Sequence, residues 1–177
     1  MTTRSYRRLN AILVLALFAA SVWAYPRLPE QIPVHFGFSG EPDRWEARSV
    51  VSWFLLPAVT AAMALLMHVM SVYGVSHPES WNLPDKRRFL ALPRPAQAPI
   101  IARMQRFLAM LGVVVTMLLG AIQAGIYRSS MGESQGLPAW VTGWMAASLL
   151  AIGIAAYRLN GELGQMVRDA HAQATAA

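Results

Sequence analysis

No cysteine occurs among the 177 residues. Disulfides, thiolate nucleophiles and Cys-ligated zinc are therefore excluded, whatever the redox compartment. Charge is also scarce: Asp, Glu, Lys and Arg make up 14% of the chain, against a soluble norm of about 25%. Acids are the rarer sign, 9 against 15 bases. These charges are bunched, leaving long stretches with none and no acid inside any of those stretches. An ion-coupled transporter needs several ionisable groups at membrane depth, so the composition argues against that class. There is no internal repeat and no low-complexity tract beyond the Ala-rich tail after Ala170. Too little chain lies outside the apolar stretches for a soluble domain of ordinary size.

What the chain has in abundance is apolar sequence, 55% of its residues. Four stretches approach the roughly 20 residues that cross a bilayer core: Leu9–Tyr25, Val50–Tyr73, Phe107–Tyr127 and Leu137–Tyr157. Each ends in a tyrosine, a residue that favours the headgroup level. A soluble bundle would show polar residues every third or fourth position, and these stretches do not. The expected fold is an all-α integral membrane protein, with four transmembrane helices and a structured outer loop between helices 1 and 2. Residues 9–75 form the first helix hairpin with that loop, 76–106 a basic cytoplasmic loop, 107–157 the second helix hairpin and 158–177 a cytoplasmic tail.

The bases fix an orientation. Arg4, Arg7, Arg8, Lys86, Arg87, Arg88, Arg94, Arg103, Arg106, Arg158 and Arg168 fall on one side, and Arg27, Arg44, Arg48 and Arg128 on the other. The positive-inside rule places both termini in the cytoplasm of a multi-pass protein of the cell inner membrane. The net charge of +6 is then topological and calls for no nucleic acid; its partner is the lipid bilayer. Arg4 to Arg8, an apolar run and Val22-Trp23-Ala24 also resemble a signal peptide with a small residue at the cleavage position. Trp23 and Pro26 suit an interfacial helix end, and the expectation is an uncleaved first helix.

Small residues recur every four positions in two spans: Gly112, Thr116, Gly120 and Ala124 in the third, and Gly143, Ala147, Ala151 and Ala155 in the fourth. Such stripes let backbones approach closely. The expectation is that the two stripes face each other, with a homodimer through one of them as the alternative. Gln123 and His68, polar residues within spans, are each expected to make an interhelical hydrogen bond. Trp81–Pro93 mixes apolar anchors with a basic cluster and is expected to lie along the membrane surface, the alternative being a platform for a partner protein. Ile100–Arg106 reads as a helical lead-in to the third span.

The segment Tyr25–Trp45 has three prolines before its histidine, each fixing φ near about −65°, and glycines at 37 and 40 where the chain turns. A tether needs no such residues; this loop is built to hold one shape. His35, Glu41, Asp43 and Glu46 are the cluster that can carry chemistry. A histidine with two carboxylates can hold a divalent metal or act as an acid/base set, but the spacing matches no metal signature. Alternatively, Pro33-Val-His-Phe is an extended piece whose imidazole pairs with Asp43 or Glu41. The candidate residues for ligand binding or loop structure are Pro33, His35, Gly40, Glu41, Pro42, Asp43 and Arg44, and no catalytic residue, metal or cofactor is assigned.

Leu28-Pro29, Ile32-Pro33-Val34-His35-Phe36 and Gly40-Glu41-Pro42-Asp43-Arg44-Trp45, followed by Leu56-Pro57, resemble the signature of bacterial membrane proteins carrying the "domain of unknown function 1648". These include relatives of SdpI, an immunity and signalling protein of a killing-factor system. Asn82–Leu92 resembles the inner-loop pattern that follows this domain. The resemblance implies a membrane protein that protects against a secreted toxin and sequesters a repressor. The expected function is a non-enzymatic inner-membrane protein, sensing a ligand or peptide or giving toxin immunity through the outer loop, with a peptide or protein partner. The alternative is a membrane-embedded metal-dependent enzyme using His35, Glu41 and Asp43.

Overall fold

The computed structural model describes residues 1–37, 39–73 and 77–176. Among these residues four helices are long and apolar enough to cross a membrane: α1 (Thr3–Ala24), α2 (Val50–Tyr73), α4 (Arg94–Ser130) and α5 (Ala139–Ala176), with a short α3 (Lys86–Ala91) before α4. Thr2 caps α1, its hydroxyl accepting from the Ser5 amide and so satisfying one of the otherwise unpartnered first-turn donors. Helix α4 is central and touches α1, α2 and α5.

The loop between α1 and α2 departs from the all-α expectation. It is an antiparallel hairpin of β1 (Gln31–Phe36) and β2 (Pro42–Ala47). Strand β1 buries Ile32 and Pro33 against the bundle, whereas β2 is almost wholly exposed. Ile32, Leu28, Ala24 and Trp53 form a buried cluster flanked by Tyr25, Phe54 and Tyr127. Full burial of an aliphatic side chain such as Ile32 contributes about 1.5–3 kcal/mol, so the hairpin is fastened and does not dangle.

At the opposite end, α4 and α5 run on beyond the apolar spans. Their 37 and 38 residues make rods of about 55 Å, against a hydrocarbon core of about 30 Å. Neither the lead-in at Ile100 nor the tail after Tyr157 is a separate element, because each continues its helix. Trp81–Pro93 packs onto α4 and α5. Leu83, Phe89 and Leu92 are buried with Ile100, Leu159, Leu163 and Val167, while Gln97 Nε2 donates to the Phe89 and Leu92 carbonyls at the end of α3. Arg103 pairs with Glu162, and Arg168 with Asp85.

The small-residue stripes do not face each other. Gly112 and Thr116 turn towards α1 and α2: a Cβ on Gly112 would lie 3.0 Å from Asn10 Nδ2 and 3.3 Å from Met67 Cβ. Gly120 and Gly143 have nothing within 4 Å of such a Cβ, and Ala147 and Ala151 are exposed. Helix α5 packs on α4 through Val141, which closes over Gly125, and, further along, through the cluster holding Leu159 and Leu163.

Candidate functional site

The hairpin geometry begins with Pro33. Lacking an N–H, it cannot donate to the ladder, and the register is irregular from there onward: Pro33 faces Trp45, His35 faces Arg44 and Phe36 faces Pro42, with shifts on both sides of His35. Bulges of this kind re-aim side chains. Here the result is that His35 Nδ1 meets Asp43 Oδ1 at 2.5 Å. The turn is closed by Gly37 N–H donating to the Glu41 carbonyl and Gly40 N–H to the Gly37 carbonyl, both at 2.9 Å. Gly40 has φ +83°, the left-handed region where glycine carries no steric penalty.

Of the seven sequence candidates, His35 and Asp43 are brought together within hydrogen-bonding distance and Arg44 lies 3.6 Å from Glu46. Pro33 is buried, and Gly40 and Pro42 shape the turn. Glu41 is exposed and outside the pair. Among the described residues no three His, Cys, Asp or Glu side chains converge where they could hold a metal ion.

Two sets of hydrogen bonds hold the hairpin, one closing its base and one tying its turn to the bundle. Arg48 donates to the Leu28 carbonyl from its side chain and to the Glu30 carbonyl from its amide. The Leu137 amide donates to the Gly40 carbonyl at 2.8 Å, which joins the hairpin turn to the α4–α5 connection. That approach requires glycine at 136, where a Cβ would sit 2.3 Å from the Gly40 oxygen.

Below the hairpin, a prolyl residue inside a helix is matched by a partner on another. Pro57 in α2 has no N–H, which leaves the Trp53 carbonyl without its usual donor four residues on. Gln123 Nε2 of α4 supplies one at 3.3 Å, and the Trp53 indole N–H donates to the Ser21 carbonyl of α1 at 2.9 Å. The interhelical bond expected of Gln123 is present. Between the hairpin and α2, α4 and α5 opens a groove of about 450 Å³. Its walls include Val34, Phe36, Leu55, Val59, Ile122 and Met145, with His35, Arg44 and Glu46 at the strand side.

A second polar cluster escaped sequence reasoning. Asn10 is buried in α1, and its Oδ1 accepts from Thr116 Oγ1 at 2.7 Å. One turn earlier, Arg7 Nε and Nη2 donate to the Ser71 hydroxyl and carbonyl. These groups border a cavity of about 360 Å³ that His68 also lines. The His68 ring is exposed there and makes no interhelical bond among the described residues; its carbonyl accepts from Ser71 Oγ. The available signal was one uncharged polar residue just inside the first apolar run.

Residues 12–61 match a family model described as "Domain of unknown function (DUF1648)". The match takes in α1 from Ile12 onward, the hairpin and the first half of α2. An uncharacterized protein from Archaeoglobus fulgidus is 32% identical over 87 residues, covering 47% of this chain and 46% of that protein. The chain thus spans about half the length of the curated relative it matches. No solved structure matches.

Proposed function

We propose that this is a non-enzymatic inner-membrane protein whose outer hairpin and the groove beneath it recognise an apolar or amphipathic peptide at the membrane surface. The observation that carries this reading is the groove itself, large, apolar-walled and roofed by a hairpin fixed at both ends. Addition of a peptide strand to β2 is disfavoured, because that strand carries Pro42, Asp43, Arg44 and Glu46, the residue types that blunt a sheet edge. Side-chain insertion into the groove is the mode left, with His35, Asp43, Arg44 and Glu46 orienting the peptide from the rim.

The asymmetry of Lys and Arg supports an orientation with both termini in the cytoplasm and the hairpin outside. The likeness of the Leu28–Trp45 segment to relatives of SdpI supports toxin immunity as the biological setting, in which the hairpin meets a secreted peptide. The test is a peptide-library selection against the protein in nanodiscs, beside a Val59→Trp variant that fills the groove. Enriched apolar peptides lost from the variant are the expected outcome. Peptides retained equally by the filled variant, or none enriched above empty nanodiscs, would refute the groove as the recognition site.

A further inference from the structure

We propose a second site, at the opposite end of the bundle: a cleft between α1, α4 and α5 that holds the headgroup of one anionic phospholipid. The cleft has a volume of about 260 Å³ and is lined by Tyr6, Arg103, Arg106, Arg158 and Glu162 at its polar side, with Phe107, Met110, Ala155 and Leu159 behind them. Glu162 is consumed by Arg103, whose Nε donates to it at 2.7 Å. Arg106 and Arg158 enter no ion pair among the described residues and are exposed. The cleft therefore carries an excess of two positive charges, from two different helices, beside the Tyr6 phenol.

Its level along the helices fits a headgroup. The rise from Arg106 to Arg128 along α4, at about 1.5 Å per residue, is roughly 33 Å, close to the hydrocarbon thickness of about 30 Å. Arg106 and Arg128 thus sit at the two boundaries. Basic pockets between helices at such a boundary bind phosphate headgroups. The apolar backing distinguishes a lipid from a free anion: phosphate would use only the arginines and the phenol, whereas a phospholipid also lays its glycerol and first methylenes on Phe107, Met110 and Leu159. The lipid would wedge between α1 and α5, complementing an α5 that packs chiefly on α4.

The experiment is native mass spectrometry of the full chain released from phosphatidylcholine nanodiscs containing graded phosphatidylglycerol. One phosphatidylglycerol should be retained in preference to phosphatidylcholine. Arg106→Gln and Arg158→Gln should each weaken retention about fivefold, the equivalent of about 1 kcal/mol per basic residue at an anionic surface. The paired change Arg87→Gln/Arg88→Gln at exposed positions of α3 should leave retention unchanged. Ala155→Phe, which fills the apolar backing and keeps every charge, should also expel the lipid, and it covers the case in which a Gln variant fails to fold. Unchanged retention in these cleft variants would overturn the proposal. So would an equal loss in the α3 variant, which would indicate a diffuse field, or equal competition by millimolar inorganic phosphate, which would indicate a free-anion site.

Discussion

Replacing Gln123 with Leu removes the donor that meets the Trp53 carbonyl, and the cost depends on a residue in another helix. With Pro57 in place, α2 offers that carbonyl no N–H of its own, and Gln123 Nε2 is the side-chain donor that reaches it. The site is buried, so water does not substitute. A lone carbonyl left in such a place costs about 1–3 kcal/mol, tempered to about 1–2 kcal/mol by the modest values typical of hydrogen bonds between membrane helices. Pro57→Ala restores the N–H that a regular helix aims at residue 53, at the expense of a small void where the proline ring was buried. In that background Gln123→Leu should cost only about 0.5 kcal/mol or less, because Trp53 then keeps a partner. A double-mutant cycle should give a coupling of about 0.5 kcal/mol or more, read by reversible unfolding in bicelles. Additive effects within about 0.3 kcal/mol would show that Gln123 does not serve the carbonyl freed by Pro57.

Gly136→Ala places a methyl group against the Gly40 backbone and should break the Leu137–Gly40 bond, a local cost of about 2 kcal/mol, seen as an approximately thirtyfold faster hydrogen exchange at the Leu137 amide; unchanged exchange would deny the docking of the hairpin turn on the α4–α5 connection. Gly112→Leu overfills the contact with Asn10 and Met67 and should destabilise by about 1–3 kcal/mol, whereas Gly120→Leu, with open space around it, should stay within about 0.5 kcal/mol of wild type; thermal melts of equal midpoint would contradict the assigned faces. In this cysteine-free chain, an impermeant thiol reagent applied to intact cells should label Glu41→Cys and spare Arg87→Cys, and the opposite pattern would reverse the proposed orientation.

The four apolar helices were legible because length and absence of charge are local properties. Val50–Tyr73 was read to the residue. The start of α4 was not: apolar content begins at Phe107, but the helix begins at Arg94, because Arg103 finds Glu162 on α5 and Gln97 turns onto the end of α3. Glu162 lies 59 residues from Arg103, beyond the reach of any local pattern. The failure of the facing stripes has a different cause. Lipid covers an apolar helix face about as well as protein does, so Gly143 and Ala147 carry no local mark of whether a helix or a bilayer lies against them. Of the candidate site, the His35–Asp43 pair was anticipated from a histidine in an extended piece with carboxylates across a turn. The strands themselves were not, since two six-residue segments broken by Pro33 and Pro42 give little alternation to count. Asn10 carries no local mark of its role, because its partner Thr116 lies 106 residues away on α4.

The unbroken length of α4 has a mechanical consequence. Its hairpin-side end leads into the connection to α5, whose Leu137 amide bonds to Gly40 of the hairpin, and its other end is set in the cluster around Phe89 and Ile100. Between them lies a strut of about 55 Å whose one interior proline, Pro99, sits near the end beside that cluster. A tilt of about 5° about the middle of such a rod displaces its two ends by roughly 5 Å relative to each other. A displacement of the hairpin would therefore reach the buried faces of α3 and α5 as leverage, without any change in the helix itself.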